Sequence, residues 1–162
     1  MAETKYGKYF IPFNNVGRKH PLGPMISWLD DNVMKGSNFY MIHWVMPNPR
    51  ENEMVGHPPH VHKDGELLIH LGTDPEHPED LGGDCEIFLG PEQERHFFNK
   101  TCVIYIPPLF IHAPWRPMNT RRPWIFVEVN QGPRHTEKLY PQVLSKEVRD
   151  KIDWTRWKDE GF

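Results

Sequence analysis

The chain has 162 residues, a formal net charge of -3 at pH 7, 10 histidines and 17 prolines. This length suits one domain with its own core, and the slight negative charge argues against a nucleic-acid-binding surface. Apolar runs are too short for a membrane span, the start is unlike a signal peptide, and two cysteines do not make a disulfide framework, so we expect a cytoplasmic protein with free thiols.

Short strands and turns are predicted along most of the chain. The first 38 residues alternate turn signals, such as Asn14-Asn15 and Gly23-Pro24, with short apolar pieces, and we expect one or two strands plus coil around the outside of the domain. The core of a barrel is expected at about 39–129, where short apolar runs are separated by turns. Its predicted strands cover residues 39–46, 56–62, 66–71, 84–89, 94–98, 101–106, 110–112 and 124–129.

The remaining segments are predicted to be a loop and a tail. The stretch 73–83 is polar and contains prolines, which is typical of a loop, and we assign it no role. In the tail, 130–162, Ser145 is expected to cap a short helix that runs to Lys151 and packs on the barrel. The sequence therefore predicts a single all-β domain over 1–162 with a short C-terminal helix.

The residues most informative about function lie near the middle of the chain. His60 and His62 flank one residue, so on a strand both side chains point to the same face. Lys63-Asp64-Gly65 is typical of a hairpin loop with glycine in a left-handed conformation, which would place Glu66 on a neighbouring strand beside the histidines. Imidazole and carboxylate groups on one face can hold a divalent transition metal. A third histidine, His112, follows a proline-rich turn and is a further candidate ligand.

These residues resemble the first motif of the cupin family, whose form is G-x5-H-x-H-x3,4-E-x6-G. The matching segment reads HVHKDGELLIHLG, from His60 to Gly72, with one residue fewer before the final glycine. Gly56 lies three residues before His60 rather than five, so the leading glycine does not align.

The second cupin motif, G-x5-P-x-G-x2-H-x3-N, is matched in part. Pro107 and His112 stand at the expected positions, whereas Leu109 and Arg116 replace the glycine and the asparagine. Neither replaced position is a proposed ligand, so the departures weaken the family detail more than the metal hypothesis.

The resemblance covers about residues 39–129 and implies a cupin-type double-stranded β-helix, which is a jelly-roll barrel. It also implies one divalent ion held by His60, His62, Glu66 and His112, with one or two open coordination positions. Mixed nitrogen and oxygen ligation suits iron, manganese, nickel, cobalt or zinc, and the residues do not choose among them. Because N-terminal strands of cupins often cross to a partner subunit, a homodimer is expected.

Each of these positions has a structural alternative. The two histidines of the first motif could belong to the polar face of an exposed strand, and His112 could be a core histidine. Glu66 could be a carboxylate at the end of a hairpin, paired with Lys63, or it could leave the metal and act as a base.

Several histidines outside the motifs have two readings. If Glu66 faces inward, strand alternation turns His70 inward as well, where it is either a proton-transfer group beside the metal or a structural core residue. His43 carries the same ambiguity, and His57 could lie at the mouth of the barrel or in a loop. Surface positions are expected for His20, His77, His96 and His135.

Tyr105 and Glu128 are polar residues within apolar strands, and a polar atom buried there needs a partner. That partner could be a metal-bound water or a substrate, which makes Tyr105 a catalytic candidate together with Glu66 and His70. Pairing with Arg121 or Arg122 is the structural alternative. Aromatic side chains near the second motif either pack in the core or shape an apolar cavity; they are Phe110, Trp115, Trp124 and Phe126.

The expected function is that of a metal-dependent enzyme acting on a small organic substrate, with oxygenase-type or lyase-type chemistry. The alternative from another class is a non-catalytic protein that binds or senses a small molecule. A structural protein with a vestigial motif is a third reading. Because the cupin fold serves many reactions, the substrate, the native metal and the use of oxygen do not follow from the sequence.

Overall fold

The computed structural model describes residues 4–49 and 56–162, and within them strands dominate. The strands are β1 (Met25–Leu29), β2 (Phe39–Val45), β3 (His60–Val61), β4 (Glu66–Leu71), β5 (Asp80–Leu89), β6 (Glu94–Lys100), β7 (Cys102–Ile106), β8 (His112–Met118), β9 (Trp124–Asn130) and β10 (Lys138–Leu139).

The strands form two five-stranded antiparallel sheets. One sheet has the order β1-β2-β9-β4-β7 and the other has the order β10-β3-β8-β5-β6. From β3 onward the chain crosses repeatedly from one sheet to the other, which is the connectivity of a jelly roll. The predicted all-β jelly-roll architecture is therefore confirmed.

Side chains alternate between the two faces along β4 and β9, the central strands of the first sheet, so the inward side chains form successive layers. Glu66 pairs with Asn130, Leu68 with Glu128 and His70 with Phe126, so each pair lies at one level of the barrel. Inward side chains of both sheets then close the core, because residues two apart on a strand share a face. The core consists of Leu22, Val45, Leu68, Leu81, Cys85, Ile87, Ile106, Trp124 and Phe126.

The predicted loop at 73–83 is partly wrong, because β5 begins at Asp80. Leu81 is fully buried. The two glycines after it allow the strand to lie close to Thr120 and Arg122, in the connection between β8 and β9. Gly82 has φ +85, and a Cβ at Gly83 would lie 3.1 Å from the Cα of Thr120. The pairing of β5 with β6 is irregular between Asp80 and Cys85. Because a bulge interrupts the alternation of apolar and polar residues, the sequence of this stretch does not have the pattern that predicts a strand.

The predicted strand at 110–112 is also wrong in extent, since β8 begins at His112 and continues to Met118 through Pro114 and Pro117. Proline is excluded from a strand only where its missing N–H would have paired. Strand β3 pairs with β8 only at His60 and His112, so beyond His112 the β3 side of β8 has no ladder bonds to lose among the described residues.

The tail forms a short capped helix, as predicted. The Ser145 side chain accepts a hydrogen bond from the Val148 N–H at 3.4 Å, and helix α1 (Lys146–Arg149) follows it. Ile152 is buried, so the tail packs on the barrel. Single 3-10 turns occur at Gly7–Tyr9, Pro141–Val143 and Trp154–Arg156. No helix among residues 4–49 and 56–162 is long and apolar enough to cross a membrane.

Candidate metal centre

His60 and His112 are brought together by strand pairing. The two residues are directly opposite each other on β3 and β8, and both side chains are buried. Opposite residues on antiparallel strands have neighbouring side chains on the same face. As a result, two histidines 52 positions apart in the chain have ring centroids 4.2 Å apart.

The segment after β3 does not form the predicted hairpin. Strands β3 and β4 belong to different sheets, so residues 63–65 carry the chain from one sheet to the other. Gly65 is needed for close approach rather than for a left-handed conformation, because a Cβ there would lie 2.5 Å from Oε1 of Gln131. This crossing places Glu66 across the barrel from His60 and His62, facing them, instead of beside them on a paired strand.

The four predicted ligands converge inside the barrel. Nε2 of His60 lies 3.2 Å from Nε2 of His62, which in turn lies 3.2 Å from Oε1 of Glu66. Nε2 of His112 lies 3.0 Å from Oε2 of Glu66. The ligand atoms of the three histidines all lie within 4.8 Å of one another.

Each of the three histidines is oriented by a backbone carbonyl. Nδ1 of His60 bonds to the Pro58 carbonyl at 2.7 Å, and Nδ1 of His112 bonds to the Phe110 carbonyl at 3.1 Å. Nδ1 of His62 bonds to the carbonyl of Thr136. Because a carbonyl only accepts, each Nδ1 carries a proton and each Nε2 is left to bind at the shared point. This arrangement is typical of histidines that ligate metals.

The buried groups of the cluster strongly influence one another's pKa values. Burial disfavours a charged His62, but the hydrogen bond and the negative charge of Glu66 outweigh it and raise the pKa of His62 to about 9. Glu66 is also buried, yet the adjacent His112 and His62 side chains hold its pKa well below the usual range. Burial, and then the neighbouring His112, lower the pKa of His60. The metal-free cluster thus combines the Glu66 carboxylate with a positively charged His62 at neutral pH.

The residues fit a metal ion. Oε2 of Glu66 is buried and makes no hydrogen bond within the described part of the chain, although His112 Nε2 is 3.0 Å away. The atoms lie close together but are not aligned as donor and acceptor, which is the arrangement of ligands aimed at a common ion. Three nitrogens and one carboxylate suit a divalent transition metal with open positions.

A second group with ligand character adjoins the first and shares one residue with it. His57, His60 and Glu137 also offer three atoms within 4.8 Å of one another, and Nε2 of His57 lies 3.1 Å from Oε2 of Glu137. His60 has only one nitrogen that is not bonded to the backbone, so an ion cannot complete both groups at once. The three-histidine group is the more deeply buried of the two.

A cavity of about 460 Å³ opens onto the cluster, which is within the usual size range of small-molecule sites. Its polar end is formed by His60, Glu66 and His112. Residues of the tail also line it, and the ring of Trp157 lies 4.2 Å from the ring of His57. Apolar side chains of the remaining wall include Leu22, Met41, Leu68, Trp115, Phe126 and Ile152, and the charged side chains of Arg116, Lys151, Asp153 and Arg156 also line the cavity.

Further polar groups surround Glu66. Asn130 donates a hydrogen bond to Oε1 of Glu66 at 3.0 Å. Burial, and then the negative charge of Glu66, raise the pKa of Glu128 to about 8. Glu128 also lies 3.8 Å from Nε2 of His135, and both residues line the cavity. Arg121 and Arg122, the predicted structural partners of Glu128, instead pair with Asp74, Asp80 and Asp84.

The other two catalytic candidates lie away from the cavity. The Tyr105 side chain is 55% exposed, on the outer face of β7. His70 is fully buried and does not line the cavity; its Nε2 accepts a hydrogen bond from Nε1–H of Trp115 at 3.0 Å. The position of His70 matches the structural alternative, so we give neither residue a role in the proposals below.

The burial of His70 has a consequence for stability. Burial lowers the pKa of His70 to about 3, whereas a histidine of the unfolded chain takes up a proton below about pH 6.5. The unfolded state therefore binds more protons between these values, and stability falls as the pH falls. We expect His70→Phe to reduce this loss by up to about 1.4 kcal/mol per pH unit, measured as the free energy of unfolding in urea at pH 6.5 and 4.5. Trp115→Phe, which keeps His70, should retain the wild-type slope; equal slopes in all three proteins would contradict the assignment.

Three residues of the site were missed by the sequence analysis. His20 and His135 were expected on the surface, but both line the cavity, and Asn130 was not singled out. His20 and His135 lie outside the named strands, where local pattern does not predict burial. Asn130 is the last residue of β9, two positions after Glu128, so strand alternation could have placed it on the inner face.

Comparisons with known proteins support the fold. No protein-family model matches the chain, and no curated protein matches it. Among solved structures, an oxalate decarboxylase of Bacillus subtilis described with Mn(II) centres is 15% identical over 94% of this chain, with a TM-score of 0.51. An oxalate decarboxylase of Lactobacillus farciminis in complex with formate is 15% identical over 83% of this chain, with a TM-score of 0.50. A Klebsiella pneumoniae protein with a double-stranded β-helix domain is 14% identical over 86% of this chain and 97% of its own, with a TM-score of 0.48.

The chain spans about two fifths of the length of the decarboxylase chains, 42% in the first case and 40% in the second. At this identity the likeness concerns the fold alone. Together with the two antiparallel sheets, it confirms the predicted cupin-type double-stranded β-helix.

Proposed function

We propose that this chain, which has the cupin-type fold, is a metal-dependent enzyme that acts on a small organic substrate at a mononuclear centre of His60, His62, His112 and Glu66. The observation that carries the proposal is the convergence of three Nε2 atoms, each oriented by a backbone carbonyl, beside a buried carboxylate. The cluster lies at the end of a cavity, so a substrate could reach it.

A bound divalent ion supplies positive charge that can polarise the oxygen atoms of a chelating substrate. The chain's own residues provide the rest of the site. Asn130 holds the Glu66 carboxylate in place, and Glu128 places a carboxyl group in the cavity next to it. Ile152 and Trp157 of the tail add apolar side chains to the lining of the cavity.

The cavity favours a substrate that has an apolar body. A volume of about 460 Å³ walled by Leu, Met, Phe and Trp side chains is larger and less polar than a two-carbon dicarboxylate would need. The substrate we propose therefore has adjacent oxygen atoms at one end, facing the metal, and an aromatic or aliphatic body against the wall formed by Met41, Trp115 and Phe126.

Two reaction types are compatible with this site. The likeness in fold to oxalate decarboxylases supports lyase-type chemistry, and the Mn(II) centres of the Bacillus subtilis protein make manganese(II) the first ion to test. Oxygenase-type chemistry needs a redox-active ion, such as iron(II), and dioxygen.

The experiment is a screen of small organic acids and phenols with the full chain loaded with Mn(II) or Fe(II), in air and without oxygen. Substrate loss that stops on chelation is the expected result. Dependence on oxygen then indicates an oxygenase, and turnover without oxygen indicates a lyase. Tight binding of a compound that is never consumed under any of these conditions would contradict the enzyme proposal and favour the binding-protein alternative.

A further inference from the structure

His43 lines the cavity and has a buried ring nitrogen that no described residue donates to. Its side chain is completely buried on β2, and it lines the same cavity as Glu66. Nδ1 of His43 lies 2.9 Å from the carbonyl of Trp44. Since that carbonyl accepts, the proton of the ring is on Nδ1 and Nε2 carries a lone pair. No residue in the described part of the chain donates to this nitrogen.

The ring of His43 is held rigidly and stays neutral. The ring of His20 stacks on it at a centroid distance of 3.7 Å, and Phe126 lies 5.3 Å away on the neighbouring strand. Burial lowers the pKa of His43 to about 4, so Nε2 is an acceptor at neutral pH. A buried acceptor without a donor is rare in proteins, because the loss of hydration is not compensated. We look for the missing donor in the ligand.

The strand register gives a rough scale for the length of that ligand. His43 pairs with Phe126, and Glu66 pairs with Asn130, four residues further along the same strand. Four residues of a strand rise roughly 13 Å. A metal bond and a hydrogen bond take up roughly 5 Å of this separation, which leaves about the length of one aromatic ring with substituents at opposite ends.

We propose that His43 accepts a hydrogen bond from a hydroxyl group of the ligand, so that the cavity selects phenol-like compounds whose other end carries the metal-binding oxygens. A neutral hydroxyl suits this end of the cavity better than an ammonium group, which would lose its hydration against Leu22, Met41 and Phe126. This inference rests on the proposed function for the orientation of the ligand, but the hydroxyl contact itself needs no metal.

The test uses three probes that lack a chelating group: p-cresol, 4-methylanisole and toluene. Calorimetric titration of the full chain, once loaded with Mn(II) and once with chelator, is expected to show p-cresol binding about 5- to 100-fold more tightly than the other two. 4-Methylanisole keeps the oxygen but has no proton to donate, so it separates donation from polarity. We expect the same preference for p-cresol with and without metal. The result of this test therefore does not depend on whether the metal proposal is correct.

Two variants assign the preference to one atom. His43→Phe keeps an aromatic ring but has no acceptor, so all three probes should bind it within about 2-fold of one another. His43→Gln places an amide oxygen near the position of Nε2 and should restore part of the preference for p-cresol. The proposal is overturned if wild-type protein binds the three probes equally, if it binds none of them at millimolar concentration, or if folded His43→Phe keeps the preference.

Discussion

Replacing His60 by alanine is expected to remove the metal and the activity together. The variant keeps two histidines and Glu66, but the loss of a direct ligand costs more than the 10- to 100-fold in affinity that is typical of an outer partner, so we expect a fall of more than about 100-fold. Wild-type protein purified without a metal-binding tag should contain about one transition-metal ion per chain, and His60→Ala should contain almost none. Elemental analysis measures both values, and turnover of any substrate found should fall to background.

His96→Ala is the matched control for this substitution. His96 is also a strand histidine, on β6, but its side chain is 46% exposed and its partner is Glu94. It makes the same change in composition without touching the cavity, so its metal content and activity should equal those of the wild type. A His60→Ala protein that retains one ion per chain would show that the metal is held elsewhere.

Saturating metal is expected to raise the thermal stability of the chain by about 10 °C. In the metal-free protein the buried Glu66 carboxylate faces a positively charged His62, and its Oε2 has no hydrogen bond from the described residues. An ion that binds only the folded state, at about 1,000 times its dissociation constant, contributes about 4 kcal/mol. For a domain of this size that corresponds to roughly 8 to 16 °C in Tm.

The measurement is a thermal denaturation series with Mn(II), followed by chelator. His112→Ala, which lacks one proposed ligand, should show little of the increase, whereas His96→Ala should show all of it. Mg²⁺ serves as the control ion, since it prefers oxygen ligands and should stabilise the chain far less. An equal rise with Mg²⁺, or in His112→Ala, would contradict a site made of these residues.

The sequence predicted the metal-ligand candidates better than it predicted how they come together. His60, His62, Glu66 and His112 follow from motif offsets, and all four lie within one buried cluster. The expected hairpin between the histidines and Glu66 is wrong, since residues 63–65 join the two sheets. A turn that links two strands of one sheet and a turn that crosses between sheets are both short and polar, so local composition does not tell them apart.

The predicted boundaries of two strands are wrong at positions where glycine or proline interrupts the alternation of apolar and polar residues. Strand β8 continues through Pro114 and Pro117, beyond the predicted strand at 110–112, and Gly82 and Gly83 lie in β5 where a loop was predicted. Whether a proline or a glycine is tolerated in these strands depends on the backbone hydrogen bonds to the adjacent strand. The local sequence does not show which strand is adjacent, so it does not predict these boundaries.

The cavity could not be predicted from the sequence, because it is formed by contacts between residues that are far apart in the chain. His20 stacks on His43 from a turn near the start of the chain, and Trp157 reaches His57 from the end of it. His43 itself was ambiguous in the sequence, since an inward histidine is equally consistent with a paired core residue. Only the absence of a donor to its Nε2 in the described structure separates the two readings.

The central claim is that three imidazoles and one carboxylate bind a single ion, and anomalous X-ray diffraction at the manganese absorption edge tests it most directly. Crystals of the full chain grown with Mn(II) should show one strong anomalous peak at coordination distance, about 2.2 Å, from Nε2 of His60, His62 and His112 and from an oxygen of Glu66. A peak bound only by His57 and Glu137, or no peak near these four side chains, would contradict it.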